Sequence, residues 1–186
     1  ESNNPSIAAT LATEATQAQS RIAGAQGFLG WTRSDDIPHI PGNIAANRTL
    51  TAGTYVIPGL LTVAANTIIT LDAHGQDSVF RFNISSYLTF GAGSTVKVDN
   101  PPPSGGKGVT VIWNVTGGYV AVGAGANIIG DIFAKGYVST GANSTLSGPG
   151  NNCGGSIYSA TSYVSLGAGA KVQKGDDCVA ATNHIT

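Results

Sequence analysis

The 186-residue chain has no methionine, two cysteines and few charges: Asp, Glu, Lys and Arg make up 10% of it, with a net charge of −1. Scarce Lys and Arg remove the electrostatic case for nucleic acid or an anionic membrane, since both need clustered positive charge. No apolar run approaches the roughly 18 residues that would span a bilayer, so membrane insertion is not expected. Lys, Glu, Leu and Arg are also too sparse for a mainly helical protein. What is abundant is glycine, with 26 residues, and apolar side chains at 41%. That is too apolar for disorder. Residues 1–186 read as a single domain, long enough to bury a real core.

A chain without methionine that starts at Glu1 points to a mature, secreted protein whose signal peptide has been removed. Cys153 and Cys178 suit one disulfide in an oxidising compartment; two free buried thiols are the alternative. Asn47, Asn83, Asn114 and Asn143 each begin an Asn-X-Ser/Thr sequon and are possible N-glycosylation sites. Such sequons arise by chance in a chain rich in Asn, Ser and Thr, so they support secretion only weakly.

Residues 5–25, PSIAATLATEATQAQSRIAGA, are the one convincing helix. Ile7, Leu11, Ala15, Ala18 and Ile22 recur at three- and four-residue spacing, which aligns a narrow apolar stripe on one face. Pro5 fits the first turn and Gly24 the end. At 1.5 Å per residue the helix would be about 30 Å long.

From residue 44 the pattern changes to short strands between Gly, Ala and Asn, and an internal repeat emerges. Its copies are LLTVAANTII (60–69), YLTFGAGSTV (87–96), YVAVGAGANI (119–128), YVSTGANSTL (137–146) and YVSLGAGAKV (163–172). Period-2 alternation with glycine corners, repeated once per coil, describes a β-solenoid, or β-helix, over residues 44–173. Residues 174–186 are left as a C-terminal tail. The expected inward positions are Leu61, Leu88, Val120, Val138 and Val164, then Val63, Phe90, Val122 and Leu166, with Thr140 as the exception. Ala65, Ala92, Ala124, Ala142 and Ala168 form a column expected at a tight interior corner. Five coils stack to roughly 24 Å, so a 30 Å helix fits along one side. An antiparallel sandwich is the competing fold, but it does not account for the alanine column.

These residues resemble the microbial ice-binding (antifreeze) proteins, which are built as a right-handed β-solenoid with a helix alongside. The resemblance is carried by LTAGTYVIPG (50–59), TLDAHGQDSVFRFNI (70–84), VTVIWNV (109–115), GDIFAKGYVSTGANSTL (130–146) and SIYSATSYVSLGAGAKV (156–172), in that order. It implies a right-handed coil and a non-enzymatic protein that needs no cofactor. It also implies a further β-rich segment before the helix. This sequence begins almost at the helix, so a bare coil end open to another chain is expected.

No catalytic or metal constellation is legible. The acidic residues are spread over turns and do not recur at one repeat position, whereas a solenoid hydrolase needs carboxylates converging in one groove. His39, His74 and His184 are far apart, and no Cys/His ligand spacing appears. The stretch Asp72, His74, Asp77 reads as a turn between two strands, made of residues that favour turns. For ice, the expected site is an outward column of small residues: Thr62, Thr89, Ala121, Ser139 and Ser165. Thr95, Asn127 and Thr145 form a shorter column on the next face. Both could equally be ordinary solvated solenoid positions. Leu60, Tyr87, Tyr119, Tyr137 and Tyr163 form a ladder that is structural, lies under the helix, or contacts another subunit. The expected partners are therefore an ice or water surface or other copies of the chain. The second reading is a secreted structural subunit that self-assembles into a fibre or matrix through open coil ends.

Overall fold

The computed structural model describes residues 13, 14, 16–19, 40–103, 108–149 and 154–173. Their seventeen strands fall into repeating triplets. The first coil is β1 (Asn43–Ile44), β2 (Arg48–Thr51) and β3 (Gly53–Ile57). The second is β4 (Leu61–Val63), β5 (Ile68–Asp72) and β6 (Ser78–Ile84). The third is β7 (Leu88–Phe90), β8 (Thr95–Asp99) and β9 (Val109–Val115). The fourth is β10 (Val120–Val122), β11 (Asn127–Ile129) and β12 (Asp131–Ala134). The fifth is β13 (Val138–Thr140), β14 (Thr145–Ser147) and β15 (Ile157–Ser159), and a sixth opens with β16 (Val164–Leu166) and β17 (Lys171–Gln173).

First strands pair into sheet A, second strands into sheet B and third strands into sheet C; the first two sheets have six strands and the third has five. Every pairing is parallel. A chain that visits three sheets in turn and returns one layer on has the topology of a β-solenoid. The antiparallel sandwich is excluded.

Alternation decides what is inside. In β4, β7 and β10 the outer two residues are buried and the middle one faces out. In β6 the buried positions are Ser78, Phe80, Phe82 and Ile84. Phe82 stacks between Tyr55 and Trp113 inside the prism, with ring centroids 5.1 and 4.1 Å apart. The indole of Trp113 keeps a partner by donating to the Ile129 carbonyl at 2.9 Å, as a buried Trp requires. The expected inward residues Leu61, Leu88, Val120, Val138, Val63, Phe90 and Val122 are all buried. Val164 and Leu166 are not: at 43% and 51% exposure they stand on the last coil, with nothing among the described residues stacked over them.

The corners between sheets A and B correct a second expectation. The alanine column Ala65, Ala92, Ala124, Ala142, Ala168 faces solvent, and the interior is lined two residues later by Thr67, Ser94, Ala126 and Ser144. The residue between turns the chain with positive φ: Asn66, Gly93, Gly125, Asn143 and Gly169 lie between 55° and 69°. That left-handed step reverses which side the next residue faces. The tight contact lies at the glycine before the alanine. A Cβ on Gly91, Gly123 or Gly141 would lie 2.4 Å from the backbone nitrogen of the coil beneath.

Corner length varies most between sheets B and C, from Gly130 alone to residues 100–108. That variation blurs the repeat period without disturbing the stack. Of the helix expected over 5–25, Thr13, Glu14 and Thr16 to Gln19 are helical, and the rest of that span lies outside the described residues. Gln19 is buried and its side-chain amide donates to the Val115 carbonyl at 3.3 Å, at the end of β9, which places this piece against sheet C. Residues 174–186 lie outside the described residues.

Candidate functional site

Sheet A brings the expected small-residue column into one line. Thr62 pairs with Thr89, Thr89 with Ala121, Ala121 with Ser139 and Ser139 with Ser165, each in register, and Asn43 continues the column at the first coil. Alternation points all of them outward, opposite the side of Ile44, Leu61, Leu88, Val120, Val138 and Val164. The Thr89 hydroxyl donates to the Thr62 hydroxyl at 3.1 Å. None of the six sheet A strands contains a charged residue.

The tyrosine ladder borders this column. Tyr87, Tyr119, Tyr137 and Tyr163 stack with centroids 5.1, 4.9 and 5.5 Å apart and planes within 10°. Because the rings face each other, their edges are turned to the surroundings. On the other side run Gly91, Gly123, Gly141 and Gly167, where a Cβ would collide with the backbone of the preceding coil. Sheet A thus presents a tyrosine wall, a hydroxyl-bearing floor and a glycine edge, repeated from coil to coil.

Sheet B is also regular but charged. Thr95 pairs with Asn127, Asn127 with Thr145 and Thr145 with Lys171. Its strands also carry Arg48, Asp72, Lys97 and Asp99, and the Lys97 ammonium reaches Asp99 at 2.9 Å. Asp72, Lys97 and Asp99 stand at outward register positions and interrupt the face, whereas Arg48 shares the register of the buried Ile69 and Val96.

Asp72, Asp77 and Asp131 work as turn acceptors. Asp72 accepts from the backbone N–H of His74 and from the Asn100 side chain of the next coil, both at 2.9 Å. The Asn100 amide first, and the His74 N–H second, hold its carboxyl below the usual carboxylate value. His74 sits at φ 52°, and its ring nitrogen is 3.4 Å from Asp72. Asp77 accepts from the Gly108 N–H, and Asp131 from the N–H groups of Gly155 and Ser156. These carboxylates stitch one corner to the next. Among the described residues no group of three His, Cys, Asp or Glu side chains is placed to hold a metal ion.

The sequons separate by environment. Asn47 and Asn143 are exposed at corners. Asn114 is fully buried on the outer side of sheet C, its amide donating to Asn83 at 3.1 Å. The sequence offers a signal for this pair: aligning VFRFN with VTVIWN sets both asparagines at the same outward position. Cys153 and Cys178 lie outside the described residues, as do His39 and His184.

The described residues form three parallel sheets wound into a solenoid, and one of its faces is uncharged and regularly spaced. The family model for Ice-binding-like proteins matches residues 2–173. The chain belongs to that family. It is 35% identical over 128 residues to Ice-binding protein 1 of Shewanella frigidimarina, a match covering 67% of this chain and 13% of that protein. The solved ice-binding protein_1 domain from the same bacterium superposes with a TM-score of 0.62 at 25% identity, covering 87% of this chain and 63% of that one. A glycosylated ice-binding protein from an Arctic yeast shares the fold at a TM-score of 0.70 and 22% identity, covering all of this chain and 69% of its own. The chain thus spans less than two thirds of the two bacterial relatives.

Proposed function

We propose that this protein adsorbs to ice through the outer face of sheet A, with Thr62, Thr89, Ala121, Ser139 and Ser165 at its centre. The observation that carries this reading is the unbroken register of that column on strands without a single charge. Small, evenly spaced hydroxyls and methyls can order a layer of water that merges with a crystal surface. Many weak hydrogen bonds and some apolar burial then hold the protein there. Rigidity is supplied by the stack, since each coil's backbone bonds to the next. Family membership and the names of the relatives support ice as the ligand. The same reading makes the chain a secreted, non-enzymatic, right-handed solenoid with its helix running along sheet C and a Cys153–Cys178 bridge.

The competing face is sheet B, whose column Thr95, Asn127, Thr145 is also in register. Fluorescently labelled protein on a growing single ice crystal tests the reading. Binding that defines specific planes supports it. Rejection of the labelled protein by the advancing ice, as for an inert control, contradicts it.

A further inference from the structure

Sheet A carries more hydroxyls than those of its central column. Tyr87, Tyr119 and Tyr137 stand two residues before Thr89, Ala121 and Ser139, so alternation sets rings and column on the same side of the sheet. Their backbones are held in the stack: the three tyrosine carbonyls accept from the N–H groups of Leu61, Leu88 and Val120 at 2.9 to 3.0 Å. Their rings are held as well. Each half-buried ring packs face to face on the next, with centroids 5.1 and 4.9 Å apart and planes within 3°. The buried Tyr55, by contrast, ties its hydroxyl to the Thr51 carbonyl at 2.6 Å. Among the described residues none of the three ladder hydroxyls bonds to a protein group, and none is a buried orphan, so they face water.

We infer that these phenol hydroxyls form a second water-ordering row of the adsorbing face, and that Tyr119 supplies the hydroxyl its coil otherwise lacks. This rests on the ice-face reading above. The rings repeat every 5.1 and 4.9 Å, and the column beside them repeats at the strand spacing, about 4.8 Å. The two rows therefore share one period along the stack, and waters held by both belong to one sheet rather than a single file. A phenol both donates and accepts, so each can hold water in either orientation. Stacking already restrains the rings, so little rotamer freedom is left to lose on adsorption. The rows complement each other coil by coil. The third coil carries Tyr87 with Thr89 and the fifth Tyr137 with Ser139, whereas the second has Leu60 beside Thr62. On the fourth, Ala121 occupies the column, and Tyr119 bears the one hydroxyl of that coil's outer sheet A face. Removing it opens a gap as wide as a coil.

Tyrosine-to-phenylalanine variants of the whole chain test this, because they keep the ring and its stack and remove one oxygen. Thermal hysteresis is read beside melting temperature, with T89Y and S139Y as controls for the face itself. Y119F is expected to lose activity several-fold at the parent's melting temperature. Y87F and Y137F should each lose less, since Thr89 and Ser139 remain on their coils. A121S in the Y119F background returns a hydroxyl to the fourth coil, where serine suits the register of Ser139 and Ser165. It should restore most of the activity, which a merely structural tyrosine would not do. Should Y119F lower the melting temperature, Y87F/Y137F carries the test, with a several-fold loss expected from the pair. Full activity in the stably folded phenylalanine variant, or no rescue by A121S, overturns the inference; if T89Y and S139Y are inactive, the ice face on sheet A still stands. Full activity in T89Y and S139Y removes that face, and the second row with it.

Discussion

The hydroxyl of Thr89 donates to the hydroxyl of Thr62 across 3.1 Å, one coil apart. The bond shows how closely the solenoid repeats its own surface, since two side chains 27 residues apart in sequence meet as direct neighbours. Thr89→Val keeps the branched shape and removes this donor. The expected cost is about 1 kcal/mol or less, read from urea unfolding. A loss of several kcal/mol would mean that the hydroxyl holds the stack, which the account does not allow.

The corner glycines divide into two kinds with different costs. Gly123→Ala drives a methyl to 2.4 Å from the Ala92 nitrogen. Separation of the coils should cost about 1–3 kcal/mol or more, as overpacking does. Gly125→Ala meets no atom within 4 Å but must keep φ at +65°, which costs about 1–2 kcal/mol. Denaturant midpoints should therefore fall further for Gly123→Ala.

Phe82 fills the middle of the interior ring stack between Tyr55 and Trp113. Phe82→Ala should destabilise the fold by about 3–5 kcal/mol, the range for emptying a buried aromatic site. Tryptophan fluorescence should report the same transition, because Trp113 loses the ring 4.1 Å away.

Asp72 sets a pH dependence whose sign follows from its shift. Its carboxyl is lowered by the Asn100 amide and the His74 N–H. The stabilisation is therefore fully present above the ordinary carboxylate value and is lost as pH falls through the lower, folded one. Asp72→Ala should flatten that acid limb of a melting-temperature profile and leave neutral and alkaline limbs parallel to the parent. An unchanged acid limb would remove Asp72 from the account.

Much of this was legible in the sequence because a solenoid repeats its constraints. Tyr87, Tyr119, Tyr137 and Tyr163 stand at one repeat position, and alternation then fixes that Leu88 and Phe90 point inward while Thr89 points out. The alanine column was misplaced because period-2 counting fails at a left-handed residue, and Asn66 or Gly93 resets the phase. The exposure of Val164 and Leu166 could not be read from their own repeat, which matches those of buried coils. It depends on what lies above them. Nor could local pattern assign the helix to a face, since that rests on long-range contacts such as the Gln19 amide to the Val115 carbonyl.

The most direct measurement is thermal hysteresis, with ice recrystallisation inhibition beside it, on folded variants that roughen one face at a time. Thr89→Tyr and Ser139→Tyr raise a ring from the floor of sheet A, while Thr95→Tyr and Thr145→Tyr do the same on sheet B. The account predicts that the sheet A variants lose most of the activity at unchanged melting temperature, with the sheet B variants close to the parent. Full activity in both sheet A variants would contradict it, and its loss in the sheet B variants alone would move the site to that face.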